Sequence, residues 1–302
     1  IASNDGTLLS FYNRNINKVG IDPIINNYKK FYNKKVYKIN DFFNYKTLKK
    51  KINKKFKIIT ALSVFYDLKN PNKFVADIKK ILEKNGIFIL EHADLLSILK
   101  NNLFDTICHE HLEYYSSKII IDVMKKNHLR VFDFKKNNIN GGSTRYYISH
   151  NDSNFKSNTR DINRLLKEEK KYMLGSQKIF KKFKKNLILN KKKLMNSIYK
   201  IKKANKKIHG YGASTKGNVL LQYFKINNKQ VDFIADRNPK KYNKYTPGTK
   251  IKIISENKSR KIGPDYYLVL PWHFKNEIIK RERLIRKKGT KLIFPLPKMQ
   301  IV

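Results

Sequence analysis

Short apolar runs alternate, in the first half of the chain, with segments whose apolar residues are three and four positions apart. Runs bounded by turn residues are typical of buried strands, and the second spacing is typical of helices. Asn70-Pro71 and Asn85-Gly86 punctuate the chain on either side of one predicted helix. The predicted strands are the end of a strand at 1–3 and the ranges 19–21, 56–61, 87–90, 131–134 and 143–149; the predicted helices include 74–82 and 119–126.

Polar residues stand where successive predicted strands end. They are Asn4, Asp22, Asp41, Ser63 and Glu91. In an open α/β sheet, ligands bind beyond the carboxyl ends of the strands. The first turn, with Ser3 and Gly6, would let the backbone approach a ligand. The carboxylate of Asp22 could accept hydrogen bonds from a ribose, and Asp41 with Phe42 could hold an adenine, although an aromatic pair also suits a core.

A second α/β unit begins near Lys207. A strand leads into the glycine-rich turn 210–217 and then into a helix, and a further strand ends at Asp236. The turn amides at a helix N-terminus could cradle a phosphate, with Ser214 and Lys216 beside them. The turn matches neither a P-loop nor the dinucleotide fingerprint, so a tight turn without a ligand is the alternative.

The segment between these two units is highly charged and free of proline, and its apolar residues recur at helical spacing. It predicts a helical bridge. The chain therefore predicts an α/β fold with a domain at 1–150, a bridge at 151–206 and a smaller Rossmann-like domain at 207–302. A late strand opens into Trp272-His273, which could form a binding wall or part of the core.

The composition changes this picture little. The formal charge of +44 would suit nucleic acid, yet lysines are spread along the whole chain without arginine-rich clusters. Compositional drift explains this better, so nucleic acid is disfavoured as a partner and attraction of an anionic substrate is a by-product. No apolar run approaches the roughly 18 residues of a membrane helix. The single cysteine fits the cytoplasm, and the first residue, Ile1, suggests a fragment.

The stretch Cys108–Tyr115 concentrates polar chemistry, because two of the seven histidines flank one glutamate there. Imidazole is well placed to move protons near neutral pH, and a carboxylate can raise its basicity. In an extended segment His109 and His111 would share one face, with Glu110 on the other. The alternatives are a polar loop with incidental histidines and a zinc site, which would need further ligands.

Several blocks together resemble the S-adenosylmethionine-dependent C-methyltransferases that act on nucleotide-linked ketosugars. The matching segments span essentially the whole chain: 1–9, 104–116, 141–147, 210–224, 234–249 and 264–274. The resemblance implies a class I methyltransferase domain followed by a Rossmann-like domain that helps hold the sugar nucleotide. It implies no metal in the reaction. The chain departs from the pattern at Cys108, where relatives often have tyrosine, and it lacks their N-terminal zinc domain.

The resemblance also implies roles for individual residues. His111 would be the base and Glu110 its supporting carboxylate, while His109 or a tyrosine could donate to the enolate oxygen. The predicted cofactor residues are Ser3, Asn4, Gly6, Asp22, Asp41, Phe42 and Ser63. The predicted substrate residues are Tyr115, Tyr211, Gly212, Ala213, Ser214, Lys216, Asn218, Trp272 and His273.

Two other functions remain open from the residues alone. One is a nicotinamide-dependent oxidoreductase of nucleotide sugars that would use the turn 210–217 and Asp236. The other is a non-enzymatic, basic nucleic-acid-binding protein, which would show a steep salt dependence. The particular sugar, the methylated position and the oligomeric state do not follow from the sequence.

Overall fold

The computed structural model describes all 302 residues, and its contacts group them into two compact units. The first unit comprises residues 1–95, 112–138 and 142–172, and the second comprises 96–111, 139–141 and 173–302. Both units are thus discontinuous in sequence. The contiguous domain boundaries proposed above stay a prediction, and the two short segments at 96–111 and 139–141 group with the second unit.

Twelve strands form three sheets. In chain order they are β1 (Lys18–Ile21), β2 (Val36–Ile39), β3 (Phe56–Leu62), β4 (Leu82–Ala93), β5 (Leu129–Asn137), β6 (Ser143–His150), β7 (Ile208–Tyr211), β8 (Phe233–Asp236), β9 (Ile253–Ser255), β10 (Tyr266–Val269), β11 (Lys291–Phe294) and β12 (Gln300–Ile301). The strands predicted at 19–21, 56–61, 87–90, 131–134 and 143–149 are present, but residues 1–3 form no strand. The short edge strands β9 and β12 were not predicted.

The helices, in chain order, are α1 (Thr7–Ser10), α2 (Ile25–Tyr28), α3 (Tyr45–Lys51), α4 (Pro71–Ile81), α5 (Leu95–Lys100), α6 (Ser117–Lys126), α7 (Thr159–Lys171), α8 (Gln177–Lys203), α9 (Thr215–Phe224), α10 (Glu256–Ile262), α11 (Lys275–Arg281) and α12 (Arg283–Lys287). α4 begins at Pro71, before the predicted start at residue 74, because Asn70 caps the N–H of Lys73 at 2.9 Å and Pro71 occupies the first turn. It ends at Ile81, and the predicted stop at Asn85-Gly86 lies within β4. No helix combines the length and the apolar character needed to cross a bilayer.

The sheets of the first unit meet along the opening residues of the chain. β1 and β2 pair in parallel, and the other strands follow the order β3-β4-β6-β5, with β6 antiparallel to both neighbours. The N–H of Ser3 donates to the carbonyl of Ile21 at 3.4 Å, and the amine of Ile1 donates to the carbonyl of Thr60 at 2.8 Å. The opening residues therefore lie between β1 and β3, in the place of a central strand.

The second unit is built on a six-stranded sheet with the order β12-β11-β10-β7-β8-β9. Neighbouring strands are parallel except for the edge strand β12. The chain runs outward from β7 through β8 to β9 and then continues on the other side through β10 to β11. The order reverses beside β7, and open α/β sheets bind their ligands beyond the strand ends at such a point. Both units thus confirm the predicted α/β class.

Candidate active site

The first turn of the first unit is organised around a buried carboxylate. Asp22 is 7% exposed, and it accepts the N–H of Asn4 at 3.0 Å and a second backbone N–H at 2.9 Å. The hydroxyls of Ser3 and Tyr32 are 2.8 Å apart, and Tyr32 also donates to the carbonyl of Asn4 at 2.8 Å. Gly6 has a φ of 78°, a left-handed conformation that suits glycine. Hydrogen bonds to backbone groups thus hold this turn in place.

The neighbouring strand ends carry the remaining residues predicted to bind the cofactor. Asp41 accepts the N–H of Phe42 at 2.7 Å, and the Phe42 side chain is 72% exposed. Ser63 has a φ of 54°, and its N–H donates to the carbonyl of Glu91 at 2.8 Å. A non-glycine residue in this region is uncommon and is concentrated at functional sites. All seven predicted cofactor residues therefore lie in loops at strand ends of the first unit.

Tyr115 also belongs to the first unit, whereas the other predicted substrate residues belong to the second. Its ring packs 5.1 Å from the ring of Phe65 and 6.0 Å from that of His92. The side chain is buried, and its hydroxyl has no hydrogen-bond partner. Burial raises the pKa of Tyr115 to about 12, so the phenol is neutral at pH 7 and can donate a hydrogen bond.

The three predicted catalytic residues lie in an irregular segment of the second unit. His109 and Glu110 are exposed, while His111 is half-buried. The backbone N–H of His111 donates to the carbonyl of Cys108 at 3.2 Å. Burial lowers the pKa of the His111 imidazole, and the charge of Lys216 lowers it further. The backbone of Thr106 and the charge of Glu110 act in the opposite direction. His111 is therefore neutral near pH 7.

A buried tryptophan–aspartate hydrogen bond lies in the same unit. The indole Nε1 of Trp272 donates to Oδ2 of Asp105 at 2.7 Å, although 167 positions separate the two residues. Nζ of Lys216 lies 3.4 Å from the carbonyl oxygen of Asn140. Burial raises the pKa of Asp105, while burial and Lys216 lower that of His273 to about 4. We call Asp105, Thr106, Lys216, Trp272 and His273 the polar cluster.

Several atoms of the polar cluster have no hydrogen-bond partner. They are Oδ1 of Asp105, Oγ1 of Thr106 and Nδ1 of His273. Asp105 and Thr106 are 0% and 2% exposed, and buried polar atoms are normally paired. The cluster can therefore accept a polar ligand or water. No group of three or more His, Cys, Asp or Glu side chains is arranged to hold a metal ion.

A cleft of about 420 Å³ opens at the carboxyl ends of β7, β8 and β10. Its lining residues are Tyr211, Gly212, Ala213, Ser214, Asp236, Arg237, Asn238, Lys241, Glu256, Pro271, Phe274, Glu277, Ile278 and Arg281. The first four were predicted to bind the substrate. The other predicted residues of this unit (Lys216, Asn218, Trp272 and His273) are not among the lining. Half of the substrate residues predicted in this unit therefore line the cleft, and the other half do not.

The charges of the cleft are partly paired. Asp236 accepts the N–H of Ala213 and the N–H of Asn238, each at 2.7 Å, and its carboxylate lies 3.6 Å from Nζ of Lys241. Arg281 lies over the ring of Tyr211, with its guanidinium 5.1 Å from the ring centroid. The sequence drew attention to the glycine turn and to Asp236 but missed the lysine and the arginine. Nothing in their local sequence distinguishes them from the many other basic residues.

Two protein families match the chain and together cover nearly all of it. The family described as a methyltransferase domain matches residues 2–133. The family described as the C-methyltransferase C-terminal domain matches residues 138–297, more than half of the chain. The first match shows a methyltransferase domain. The second is specific to one group of methyltransferases, and the chain belongs to this C-methyltransferase family.

The C-methyltransferase NovU of Streptomyces niveus is 26% identical over 246 residues. The match covers 82% of this chain but only 58% of NovU. Among solved structures, LepI in complex with SAM is 8% identical, with a TM-score of 0.39 over 50% of this chain and 42% of that one. An S-adenosylmethionine-dependent methyltransferase from Clostridium acetobutylicum is 14% identical, with a TM-score of 0.40 over 49% of this chain and 81% of that one.

Proposed function

We propose that the chain transfers a methyl group from S-adenosylmethionine to a carbon atom of a nucleotide-linked ketosugar, with His111 as the base that forms the enolate. The observation that carries this proposal is the environment of His111. The ring is half-buried, and its pKa is lowered by burial and by Lys216. A neutral imidazole can accept a proton near pH 7. The family match supports methyl transfer, and the name of NovU supports carbon as the acceptor.

The strand-end residues of the first unit suit S-adenosylmethionine chemically. About four lone-pair sites surround a carboxylate, and backbone amides occupy two of them on Asp22, so this side chain can still accept ribose hydroxyls. The exposed ring of Phe42 offers a face for the adenine. Ser3, Asn4, Gly6, Asp41 and Ser63 complete the proposed set. When bound, S-adenosylmethionine supplies a methyl group on a positively charged sulfur that a carbon nucleophile can take.

The cleft of the second unit suits the nucleotide part of the substrate. Its lining holds three cations, Arg237, Lys241 and Arg281, and three carboxylates, Asp236, Glu256 and Glu277. Lys241 is paired with Asp236 and Arg281 with Glu256, which leaves the guanidinium of Arg237 to meet a pyrophosphate. Ser214 caps the ten-residue helix α9 by accepting the N–H of Gly217 at 3.0 Å, and a helix N-terminus favours an anion. The side chain of Phe274 is 49% exposed and could stack on a base. The ketosugar would then extend from the pyrophosphate.

Calorimetry with S-adenosylhomocysteine, combined with a mass-spectrometric screen of nucleotide ketosugars using labelled S-adenosylmethionine, tests this function. The wild-type chain should bind S-adenosylhomocysteine and label one sugar. His111→Gln should keep that binding but lose about 10²–10⁴-fold in turnover, the usual contribution of a general base. A His111→Gln variant with wild-type turnover would exclude this residue as the base.

His128→Asn is a matched control, because His128 is exposed and asparagine tolerates its left-handed φ of 57°. It should bind and turn over like the wild type. Binding of NADH in place of S-adenosylhomocysteine would favour the oxidoreductase. Tight binding of duplex DNA that persists at physiological salt would favour the nucleic-acid-binding function. Either result without any methyl transfer would overturn the proposal.

A further inference from the structure

We infer that Lys216 is a catalytic residue of this reaction, whose ammonium group binds the ketone oxygen and stabilises the enolate that forms when His111 removes the neighbouring proton. The inference rests on the proposed function. It gives Lys216 a role other than the phosphate contact suggested by the glycine-rich turn. It also gives the enolate oxygen a charged partner.

The position of Lys216 separates it from the residues that suit a pyrophosphate. Ser214, two positions earlier, lines the cleft, but Lys216 does not. Its Nζ instead lies 3.4 Å from the carbonyl oxygen of Asn140. The neighbouring Gly141 has a φ of 92°, and a Cβ there would lie 2.6 Å from the Trp272 ring. Close packing of Gly141 on the indole therefore fixes the neighbouring backbone at Asn140, whose carbonyl oxygen faces the Lys216 ammonium.

The charged and titratable groups around Lys216 converge on one region of the second unit. Burial lowers the pKa of Lys216, and the charges of Asp105 and Cys108 oppose this shift and favour the ammonium form. Lys216 in turn disfavours the protonated forms of His111 and His273. Glu110 is the other charged group that acts on His111. The charge of Lys216 thus acts on the proposed base, as expected if the two groups act on adjacent atoms of one substrate.

Unsatisfied polar atoms in the same cluster indicate that a ligand completes it. Oδ1 of Asp105, Oγ1 of Thr106 and Nδ1 of His273 have no hydrogen-bond partner, although the first two belong to almost fully buried residues. A sugar presents hydroxyl groups and, as a ketosugar, a carbonyl oxygen. The ammonium of Lys216 has three donors, and only one is directed at Asn140. It can therefore also donate to a substrate oxygen.

The proposed step balances without any further reactant. The C–H bond next to the ketone breaks, and its proton forms an N–H bond on the imidazole of His111. The electron pair moves into the C–C bond, and the carbonyl π pair moves onto the oxygen. The ammonium of Lys216 faces this new negative charge and keeps its own protons. Fixed positive charge directed at a developing oxyanion is commonly the largest electrostatic contribution to such a reaction.

Exchange of the substrate C–H in deuterium oxide tests the step apart from methyl transfer. A thymidine-diphosphate-linked ketodeoxyglucose is incubated with the chain and S-adenosylhomocysteine, and deuterium at the carbon next to the ketone is followed by NMR. Lys216→Met should lower the maximal exchange rate about 10²–10³-fold with a smaller change in substrate KM, as expected for a lost oxyanion partner. Lys216→Arg, which keeps the charge, should retain more activity than Lys216→Met.

The opposite pattern would overturn the inference. If Lys216 binds phosphate only, Lys216→Met should raise KM and leave the maximal rate nearly unchanged. Lys229→Met serves as the control, because Lys229 is an exposed loop lysine of the same unit. If the wild type exchanges no proton and methylates no ketosugar, the proposed function itself fails. Exchange that needs His111 but not Lys216 removes only the lysine from the mechanism.

A titration without substrate checks the coupling independently. The imidazole signals are followed against pH in protein with ¹³C-labelled histidine, and the spectrum of His111→Gln identifies the signal of His111. Removing a neighbouring positive charge favours the imidazolium, so Lys216→Met should raise the pKa of His111. In exchange assays the rise in rate with increasing pH should then occur at higher pH. An unchanged pKa of His111 would show that Lys216 does not face the base.

Discussion

The first turn of each unit is held by the same kind of contact, a backbone N–H that donates to an aspartate carboxylate. In the first unit the N–H of Asn4 donates to Asp22 at 3.0 Å, and in the second the N–H of Ala213 donates to Asp236 at 2.7 Å. Each aspartate stands at the end of the strand that follows the turn in the chain, Asp22 directly after β1 and Asp236 as the last residue of β8. Each turn also contains a glycine in the left-handed region.

The side chains around the two carboxylates differ. Asp22 accepts two backbone amides, whereas Asp236 accepts two amides and also lies 3.6 Å from Nζ of Lys241. A lysine at this distance offsets the charge of Asp236 and competes with a ribose hydroxyl for its oxygens. The two turns therefore share a geometry but present different chemistry. The ligand of a Rossmann-like turn must be argued from the side chains around it.

The largest effect should come from removing the glycines that both turns need. Gly6 has a φ of 78° and Gly212 a φ of 82°, so alanine costs about 1–2 kcal/mol at either position from backbone strain. A Cβ at Gly212 would also lie 2.8 Å from the ring of Pro271, which is fixed to its backbone. Gly212→Ala should therefore lose about 2–4 kcal/mol of unfolding free energy in denaturant titrations.

Gly6→Ala should cost less, because its new Cβ would meet the side chain of Tyr32 at 2.9 Å and a ring on a rotatable side chain can shift. Gly263→Ala measures the backbone strain alone, since Gly263 has a φ of 69° and nothing lies within 4 Å of its added Cβ. If all three variants lose the same stability, close contact plays no part in either turn.

Elements could be predicted from the sequence where their signals are local. The break at Asn70-Pro71 and the apolar spacing of α4 lie within one short segment, although the break proved to be the cap and first turn of the helix itself. The same is true of the strand, glycine turn and helix around Gly212. The edge strand β9 has three residues, too few for a period to be recognised.

The polar cluster could not be predicted, because its central hydrogen bond joins residues 167 positions apart. In the sequence, Asp105 stands out only as part of the matching block 104–116. Trp272 was interpreted as a binding wall or as core, and the structure shows it buried, with its indole donating to Asp105. Such a pairing depends on the packing of three short 3₁₀ segments (104–106, 139–141 and 272–274), which no local pattern encodes.

The next largest effect tests the difference between the two carboxylates directly. Asp22→Asn removes the charge from the proposed ribose acceptor and should weaken S-adenosylhomocysteine binding about 10–100-fold, the range for a lost hydrogen bond to a charged group. Asp236→Asn is the matched change in the second unit and should leave this binding unchanged. Calorimetry measures both, and melting curves show whether each variant is folded.

Equal weakening by both substitutions would contradict the assignment of the cofactor to the first unit. Weakening by Asp236→Asn alone would move the adenosine to the cleft of the second unit. That outcome would also revive the oxidoreductase, since its nicotinamide cofactor would use the same turn and acid.

A smaller effect should follow from Trp272→Phe, which removes the hydrogen bond between Trp272 and Asp105 in the second unit. Phenylalanine keeps an aromatic ring near Gly141 but cannot donate to Asp105, whose Oδ2 would lose its partner at 2.7 Å. Asp105 lies in the segment that leads to His111, so its displacement should misplace the base. We expect about a tenfold loss in maximal proton exchange, which equals about 1.4 kcal/mol, with S-adenosylhomocysteine binding unchanged.

Asp105→Asn separates geometry from charge in this effect. The amide oxygen of asparagine can still accept from the Trp272 indole, so this variant should keep a correctly placed His111 and lose only the carboxylate charge near Lys216. If Asp105→Asn behaves like the wild type while Trp272→Phe is slow, the hydrogen bond positions the base. If both are equally slow, the hydrogen bond and the charge of Asp105 are both needed. If neither is slow, the polar cluster supports the fold and not the reaction, and the base must be positioned by its own loop alone.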